Sequence, residues 1–312
     1  MFDTINLRLT VTDAGGISFL DDTPIHLDPD SLGVHSYRGM TVATGKLGNL
    51  SVSCSQWQVK VKDGSFCKWY LGDNFQALTR GDMARAVEKL SDTLHLPFDK
   101  ATVTRLDVAQ NFILKYPVAT YYNHLGQLKG ANRLMQPDSL YYYLNDGVLT
   151  FYDKVKEQQA KGEKIPELYK GRNVLRYERR FTKRLSNQFG KPVTASTLFD
   201  EAFYMSLIKR WQDDYRLISK LNDITINFDS MTGKKQFYKM AALSLIERFG
   251  GQTEFLQQLQ EAQKQGRLTS KQAYDIRQAV TDACNAGEGL TIPNEATKEL
   301  DKKLAEAVRF YH

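Results

Sequence analysis

Tyr152, Lys154, Asp107 and Glu178 are residue types that together suit phosphoryl transfer. A tyrosine hydroxyl can attack a DNA phosphodiester and conserve its energy as a phosphotyrosine, leaving a free 3′-OH. Two carboxylates can hold a divalent cation that polarises phosphoryl oxygens and neutralises developing charge. A cation beside the tyrosine favours the phenolate, whose unperturbed pKa is about 10. Lys154, two residues on, lies on the same face of a strand. Each residue also has a plainer reading. Asp107 and Glu178 can simply pair with neighbouring arginines. Tyr152 is one of sixteen tyrosines, and a strand tyrosine is usually a half-buried surface residue. Tyr141, Tyr142 and Tyr143 compete for the same role, although a run of three suits sheet packing or base stacking better.

Strand alternation is what would gather these residues. In 104–114, Leu106, Val108, Phe112 and Leu114 point one way, and Arg105, Asp107 and Asn111 the other. In 148–153, Leu149 and Phe151 oppose Thr150 and Tyr152. In 174–181, Leu175, Tyr177 and Phe181 oppose Arg176, Glu178 and Arg180. If the apolar sets share a core, Asp107, Tyr152 and Glu178 emerge together on the opposite face, among arginines and Lys154.

Between Tyr152 and Pro192, twelve Lys and Arg stand against five Asp and Glu. That segment carries a net +7 in a chain of net +6, so the remainder is near neutral. A concentrated basic region is either a footprint for a polyanion or a solvated charged surface. On the first reading the DNA contacts are Arg105, Arg176, Arg179, Arg180, Lys183 and Arg184. The composition, 42% hydrophobic and 25% charged over 312 residues, is that of a soluble globular protein of one large or two ordinary domains. No apolar run approaches a membrane span, and MFDTINLRLT lacks the basic and apolar regions of a signal peptide. Cys54, Cys67 and Cys284 form no metal-type pair and leave an odd thiol, which suits a reducing cytoplasm. The five histidines form neither HxH nor HExxH, which argues against a zinc enzyme.

The pattern predicts an α+β fold: a central antiparallel sheet flanked on one face by helices near 80–94 and 118–129, then a mainly helical domain. The first half reads as strands. Ile5, Leu7, Leu9 and Val11 alternate; Leu50, Val52 and Cys54 alternate and resume out of phase at Trp57, Val59 and Val61, which suggests a bulge or bend. Asp63-Gly64 reads as a hairpin turn into a strand over 66–71. Met83, Val87, Leu90 and Leu94 share a helix face, capped by Thr79 or Asp82. Segments 140–144 and 148–152 form a hairpin across Asn145-Asp146-Gly147, and a charged loop over 156–172 leads to the strand at 174–181. Helical spacing then dominates at 198–218, 237–249, 253–265, 270–285 and 294–308. Phe189-Gly190-Lys191-Pro192 is the linker candidate, dividing a catalytic domain at 1–190 from a helical domain at 195–312. The pair of helices within 250–285 suits plain domain packing better than a helix-turn-helix.

Several motifs in order resemble the filamentous-phage replication initiators of the gene II/gene X type and their plasmid and prophage relatives. MFDTINLRL resembles their first strand, and KWYLGDNFQALTR (68–80) the segment before their first long helix. VTRLDVAQNF (103–112) is similar to their Arg-hydrophobic-Asp strand, LTFYDKVKEQ (149–158) to the strand with the nucleophilic tyrosine and its x-Lys, and VLRYERRFTKRL (174–185) to their Arg-aromatic-Glu strand. The match covers most of the chain.

The resemblance implies a metal-dependent, site-specific strand transferase of the rolling-circle class. Tyr152 is then the nucleophile, Lys154 its lysine, and Asp107 and Glu178 ligands of Mg²⁺ or Mn²⁺. It also implies double-stranded origin DNA and single-stranded DNA as partners, a host helicase and polymerase, no membrane, and the cytoplasm of a host bacterial cell. Many such initiators hold their metal with a His-hydrophobe-His pair that is missing here; Asn74 and, more weakly, His124 are further polar candidates. A conjugative relaxase, a non-catalytic DNA-binding regulator and a water-using nuclease are the rival readings.

Overall fold

The computed structural model describes residues 1–221, 223–224, 233–286, 291–292 and 294–311. Ten strands make one antiparallel sheet: β1 (Phe2–Thr10), β2 (Gly33–Tyr37), β3 (Met40–Leu47), β4 (Leu50–Ser55), β5 (Gln58–Lys62), β6 (Thr102–Leu114), β7 (Asn132–Gln136), β8 (Ser139–Leu144), β9 (Gly147–Asp153) and β10 (Asn173–Phe181). Their order across the sheet is β2-β3-β4-β5-β1-β6-β10-β9-β8-β7. The helices are α1 (Phe19–Asp22), α2 (Phe66–Leu71), α3 (Arg80–Leu94), α4 (Val118–Asn123), α5 (Lys154–Ala160), α6 (Leu185–Phe189), α7 (Glu201–Arg216), α8 (Lys234–Arg248), α9 (Gln252–Lys264), α10 (Ser270–Asn285) and α11 (Glu295–Tyr311). This is the α+β arrangement that the hydrophobic pattern implies, with a mainly helical region after the sheet.

Two-residue turns set the strand registers. Arg38-Gly39 joins β2 to β3 with both residues at positive φ, the turn whose twist matches that of the strands it joins. Asn145-Asp146 joins β8 to β9 as expected. Glycine is required at 147, because a Cβ there would lie 1.9 Å from the carbonyl oxygen of Arg180.

One face of the sheet is apolar and carries the core. Leu106, Val108 and Phe112 of β6, Leu175, Tyr177 and Phe181 of β10, and Leu149 and Phe151 of β9 are all buried. Aromatic rings tie that face to α7: Tyr177 stacks on Phe151 at 4.5 Å and on Trp211 at 4.8 Å. Each such pair contributes about 0.5–1.5 kcal/mol beyond its buried area. Residues of α3, α4, α7 and α11 share this cluster with the sheet. The segment after Gly190 is tied in as well, since Val193 and Ala195 are buried and Val103 N–H donates to Val193 O at 2.8 Å. By contrast, α8, α9 and α10 pack on one another around a separate small cluster of Ile246, Val280 and Ala283.

Several elements differ from the sequence expectation. Residues 66–71 form α2, not a strand: Ser65 accepts from Lys68 N–H at the start and Gly72 closes the end at φ 90°. Those caps outweigh the β-propensity of Phe66, Trp69 and Tyr70. The phase slip at Trp57 is a tight turn between β4 and β5, with Ser55 paired to Gln58, and not a bulge. The loop expected over 156–172 begins as α5, because Asp153 accepts from Val155 and Lys156 N–H at 3.1 and 3.0 Å. Strands β2, β3 and β7 had no clear alternation to betray them. The capping box of α3 resolves its start in favour of Thr79, with Asp82 as the reciprocal partner.

Candidate active site

The polar face of β6, β10, β9 and β8 is built in rows fixed by strand register. Asn111, Arg176, Tyr152 and Ser139 form one row. Ala109, Glu178, Thr150 and Tyr141 form the next, and Asp107, Arg180, Val148 and Tyr143 the third. Tyr152 and Glu178 are therefore diagonal neighbours on adjacent strands, about 7–8 Å apart at the backbone. Glu178 and Asp107 are diagonal neighbours in the same sense, so the two acids and the tyrosine lie along one oblique line with Glu178 in the middle.

Tyr152, Glu178, Arg180, Thr150 and Tyr141 line a cavity of about 440 Å³, together with Asp138, Lys156 and Lys161 at its mouth. Asp107 stands behind this cavity and joins it through Arg180. The Arg180 guanidinium lies 3.1 Å from Glu178 and 3.4 Å from Asp107, and its side chain is 37% exposed. Arg105 adds a two-pronged ion pair to Asp107. Burial raises the Asp107 carboxyl to about 7; Arg105 opposes this and the nearby Glu178 charge reinforces it.

A fully buried arginine underlies the tyrosine. The Arg176 side chain is 1% exposed and pairs with Asp3 at 3.0 Å. Its Nη1 donates to Asn74 O at 3.0 Å and Asn111 Oδ1 at 3.2 Å, while Nε stays 3.6 Å from Glu178, beyond a hydrogen bond. Burial pushes the Tyr152 phenol well above its ordinary pKa; Arg176 pulls it back, and Glu178 and Asp3 push it up. Any substrate or ion that adds positive charge beside Glu178 therefore favours ionisation of Tyr152.

The sequence-derived candidates separate into three groups. Tyr152, Glu178 and Arg180 meet in one cavity, with Asp107 and Arg105 next to it. Lys154 is on the same side but buried, because β9 ends at Asp153 and Lys154 opens α5; it pairs with Glu157 at 2.8 Å and lies over the Phe75 ring. Burial and the neighbouring Arg176 lower its pKa. Arg176 and Arg179 are unable to contact DNA as exposed cations. Arg179 points to the opposite, apolar face, 1% exposed, held by Asp214 at 2.8 Å and Asp146 at 2.9 Å. Alternation alone predicts that displacement, since Arg179 falls between Glu178 and Arg180. Lys183 and Arg184 are exposed just beyond β10. Asn74 contributes its backbone oxygen to Arg176, and His124 caps α4 behind the sheet, bonded to Thr120 O at 2.7 Å.

Asp3 is the functional neighbour that sequence reasoning missed. Its signal was a carboxylate in phase with the apolar Ile5, Leu7 and Leu9 of the first strand; burial opposes its charge, yet Arg176 and Ser65 hold its pKa below the ordinary value. As to a metal, no group of three or more His, Cys, Asp or Glu side chains is assembled among the described residues. The donors fit Mg²⁺ or Mn²⁺ nonetheless, because such ions are commonly held by one or two carboxylates, with substrate phosphates completing the shell.

The fold and the cleft define an α+β protein whose antiparallel sheet presents a tyrosine, carboxylates and arginines on its polar face. A family model describing the N-terminal part of a phage replication-associated protein (Phage_CRI) matches residues 1–214, and the chain belongs to this family. The matched span contains all ten strands of the sheet and nearly all of α7. No curated protein matches the chain. Among the described residues no helix is long and apolar enough to cross a membrane.

Proposed function

We propose that this chain initiates rolling-circle replication by nicking one strand of an origin, with Tyr152 as nucleophile. The observation that carries the reading is the cavity in which Tyr152, Glu178 and Arg180 converge on a polar sheet face. A phosphodiester enters this cavity with Arg180 and Lys161 beside its oxygens. The Tyr152 oxygen forms a bond to phosphorus as the P–O3′ bond breaks. The protein retains the 5′ end as a phosphotyrosine, and the leaving 3′ oxygen takes up, directly or through solvent, the proton given up by the phenol. Religation of the displaced strand is the same exchange in reverse.

Each neighbour has a part in this scheme. Arg176 holds the Tyr152 side of the sheet rigid and is its nearest opposing positive field. Lys154 adds positive charge behind it without entering the cavity. Glu178 and Asp107 would hold a Mg²⁺ or Mn²⁺ ion, which supplies charge neutralisation at the phosphoryl oxygens. Tyr141 lines the cavity and stacks with Tyr143 at 5.9 Å, a platform suited to an unpaired base. Double-stranded origin DNA and single-stranded DNA are the partners in this scheme; a host helicase unwinds the duplex while a host polymerase extends the 3′ end.

A non-catalytic DNA-binding regulator is the second reading, favoured by one observation: Asp107 and Glu178 already have arginine partners. Metal dependence separates the two. Supercoiled origin plasmid incubated with the protein and Mg²⁺ relaxes and acquires covalently bound protein, and Tyr152→Phe lowers the rate by at least about 10³-fold. Nicking by Tyr152→Phe at the wild-type rate overturns the nucleophile assignment; binding without nicking favours the regulator.

A further inference from the structure

The polar face of the sheet does not stop at the candidate active site. Register carries it across β6 and β1 into the four-stranded wing, because Arg105 pairs with Asn6, Arg8 with Lys60, Lys60 with Ser53, and Lys62 with Ser51. In an antiparallel pair such partners share a face. Arg180, Arg105, Arg8, Lys60, Lys62 and Lys46 therefore stand on one continuous surface. Strands are about 4.8 Å apart, so β5 lies about 19 Å from β9 across that surface.

Here the surface forms a groove of about 570 Å³. Its floor is made of small hydroxyl side chains, Thr44, Ser51, Ser53 and Ser55, and its sides carry Lys46, Lys60 and Lys62. Tyr37, 55% exposed, stands at the far end. Arg8, Lys46 and Lys60 are exposed and form no ion pair with the described residues; only Lys62 has one, with Asp63 at 3.2 Å. Hydroxyl groups beside cations that lack ion pairs, with Lys46 Nζ donating to Ser51 Oγ at 2.7 Å, match a phosphate backbone.

We propose that this wing groove holds the single-stranded DNA segment continuous with the strand cut at Tyr152, gripping its phosphates through Arg8, Lys46 and Lys60. The inference rests on the reading of the chain as a DNA-handling replication protein, but not on which residue performs the cleavage. It assigns to β1, β3 and β5 the strand-holding role that the basic 152–192 segment alone suggested.

The test uses the full chain and a fluorescein-labelled oligothymidine of about 20 nucleotides, with binding followed across a salt series. Arg8→Ala/Lys46→Ala/Lys60→Ala is expected to weaken binding at least about tenfold. It also lowers the salt slope by about two, since each lost single-strand phosphate contact accounts for about 0.7. All three side chains are exposed, and an unchanged melting temperature verifies the fold. Binding is read without Mg²⁺ and requires no cleavage, so a failed nucleophile assignment leaves this result intact. Unchanged affinity and slope in the triple variant overturn the proposal. So does an equal loss on removing Lys209, Lys302 and Arg309 from α7 and α11, which reduces the effect to net charge. A larger loss toward a duplex of the same length overturns the single-strand assignment.

Discussion

Strand β10 packs Arg176, Arg179 and Arg180 into five consecutive residues, whereas the wing spreads Arg8, Lys46, Lys60 and Lys62 over three strands. The dense cluster spends most of its charge internally. Arg176 is enclosed by Asp3 and Asn111, Arg179 by Asp146 and Asp214, and Arg180 bridges Glu178 and Asp107. In the wing, three of the four cations are exposed and form no ion pair with the described residues. Charge density along a sequence therefore locates the rigid, preorganised part of the surface. Charge that register gathers from distant strands locates the part left free for a polyanion.

This contrast fixes what substitutions should do. The largest effect is expected from Arg176→Met, which leaves Asp3 buried without its cation and Glu178 with Arg180 alone. Unfolding in urea should show a loss of about 3–5 kcal/mol, and a loss below about 1 kcal/mol would mean that Arg176 is not the keystone of the polar face. Arg179→Met strands Asp214 and leaves Asp146 with Arg210 alone; both acids are more exposed than Asp3, so about 2–3 kcal/mol is expected. The folded fraction of that variant should bind single-stranded DNA with unaltered affinity; weaker binding would return Arg179 to the interface.

Asp107 gives a pH-dependent test of the same enclosed region. Its folded-state pKa of about 7 exceeds the unfolded value, so protonation favours the fold. The stability this contributes is full below the unfolded pKa and is lost as pH rises through about 7. The melting temperature of the wild type should fall between about pH 5.5 and about pH 8 more than that of Asp107→Asn. Mg²⁺ should shrink that difference by holding the carboxylate ionised, and an unchanged difference would count against Asp107 as a ligand. The smallest stability effect belongs to the wing: Lys46→Ala and Lys60→Ala should each alter unfolding by no more than about 0.5 kcal/mol. A larger cost would show that these lysines carry structural work.

Much of this was legible in the sequence wherever a short-range rule decides the outcome. Alternation placed Tyr152, Glu178 and Asp107 on one face, the cap signal at Thr79 or Asp82 started α3, and Asn145-Asp146 turned the hairpin. Failures came where a distant partner or an end-cap decides. Phe66 to Leu71 look like a strand until Ser65 and Gly72 are recognised as caps. Lys154 looks like the next residue of β9 until the Asp153 carboxylate is seen capping α5, which withdraws Lys154 from the cavity. Asp3 and Arg176 lie far apart in sequence, and only the pairing of β1, β6 and β10 brings them to 3.0 Å. The wing groove was invisible because its cations are scattered over β1, β3 and β5, and β1 lies beside β5 out of chain order.

The decisive observation is the residue that carries DNA after cleavage. Digestion of the covalent complex formed on supercoiled origin DNA with Mg²⁺, followed by mass spectrometry of the nucleotide-bearing peptide, should place the adduct on Tyr152. An adduct on Tyr141 or Tyr143, or nicked DNA with no protein attached, would contradict the assignment.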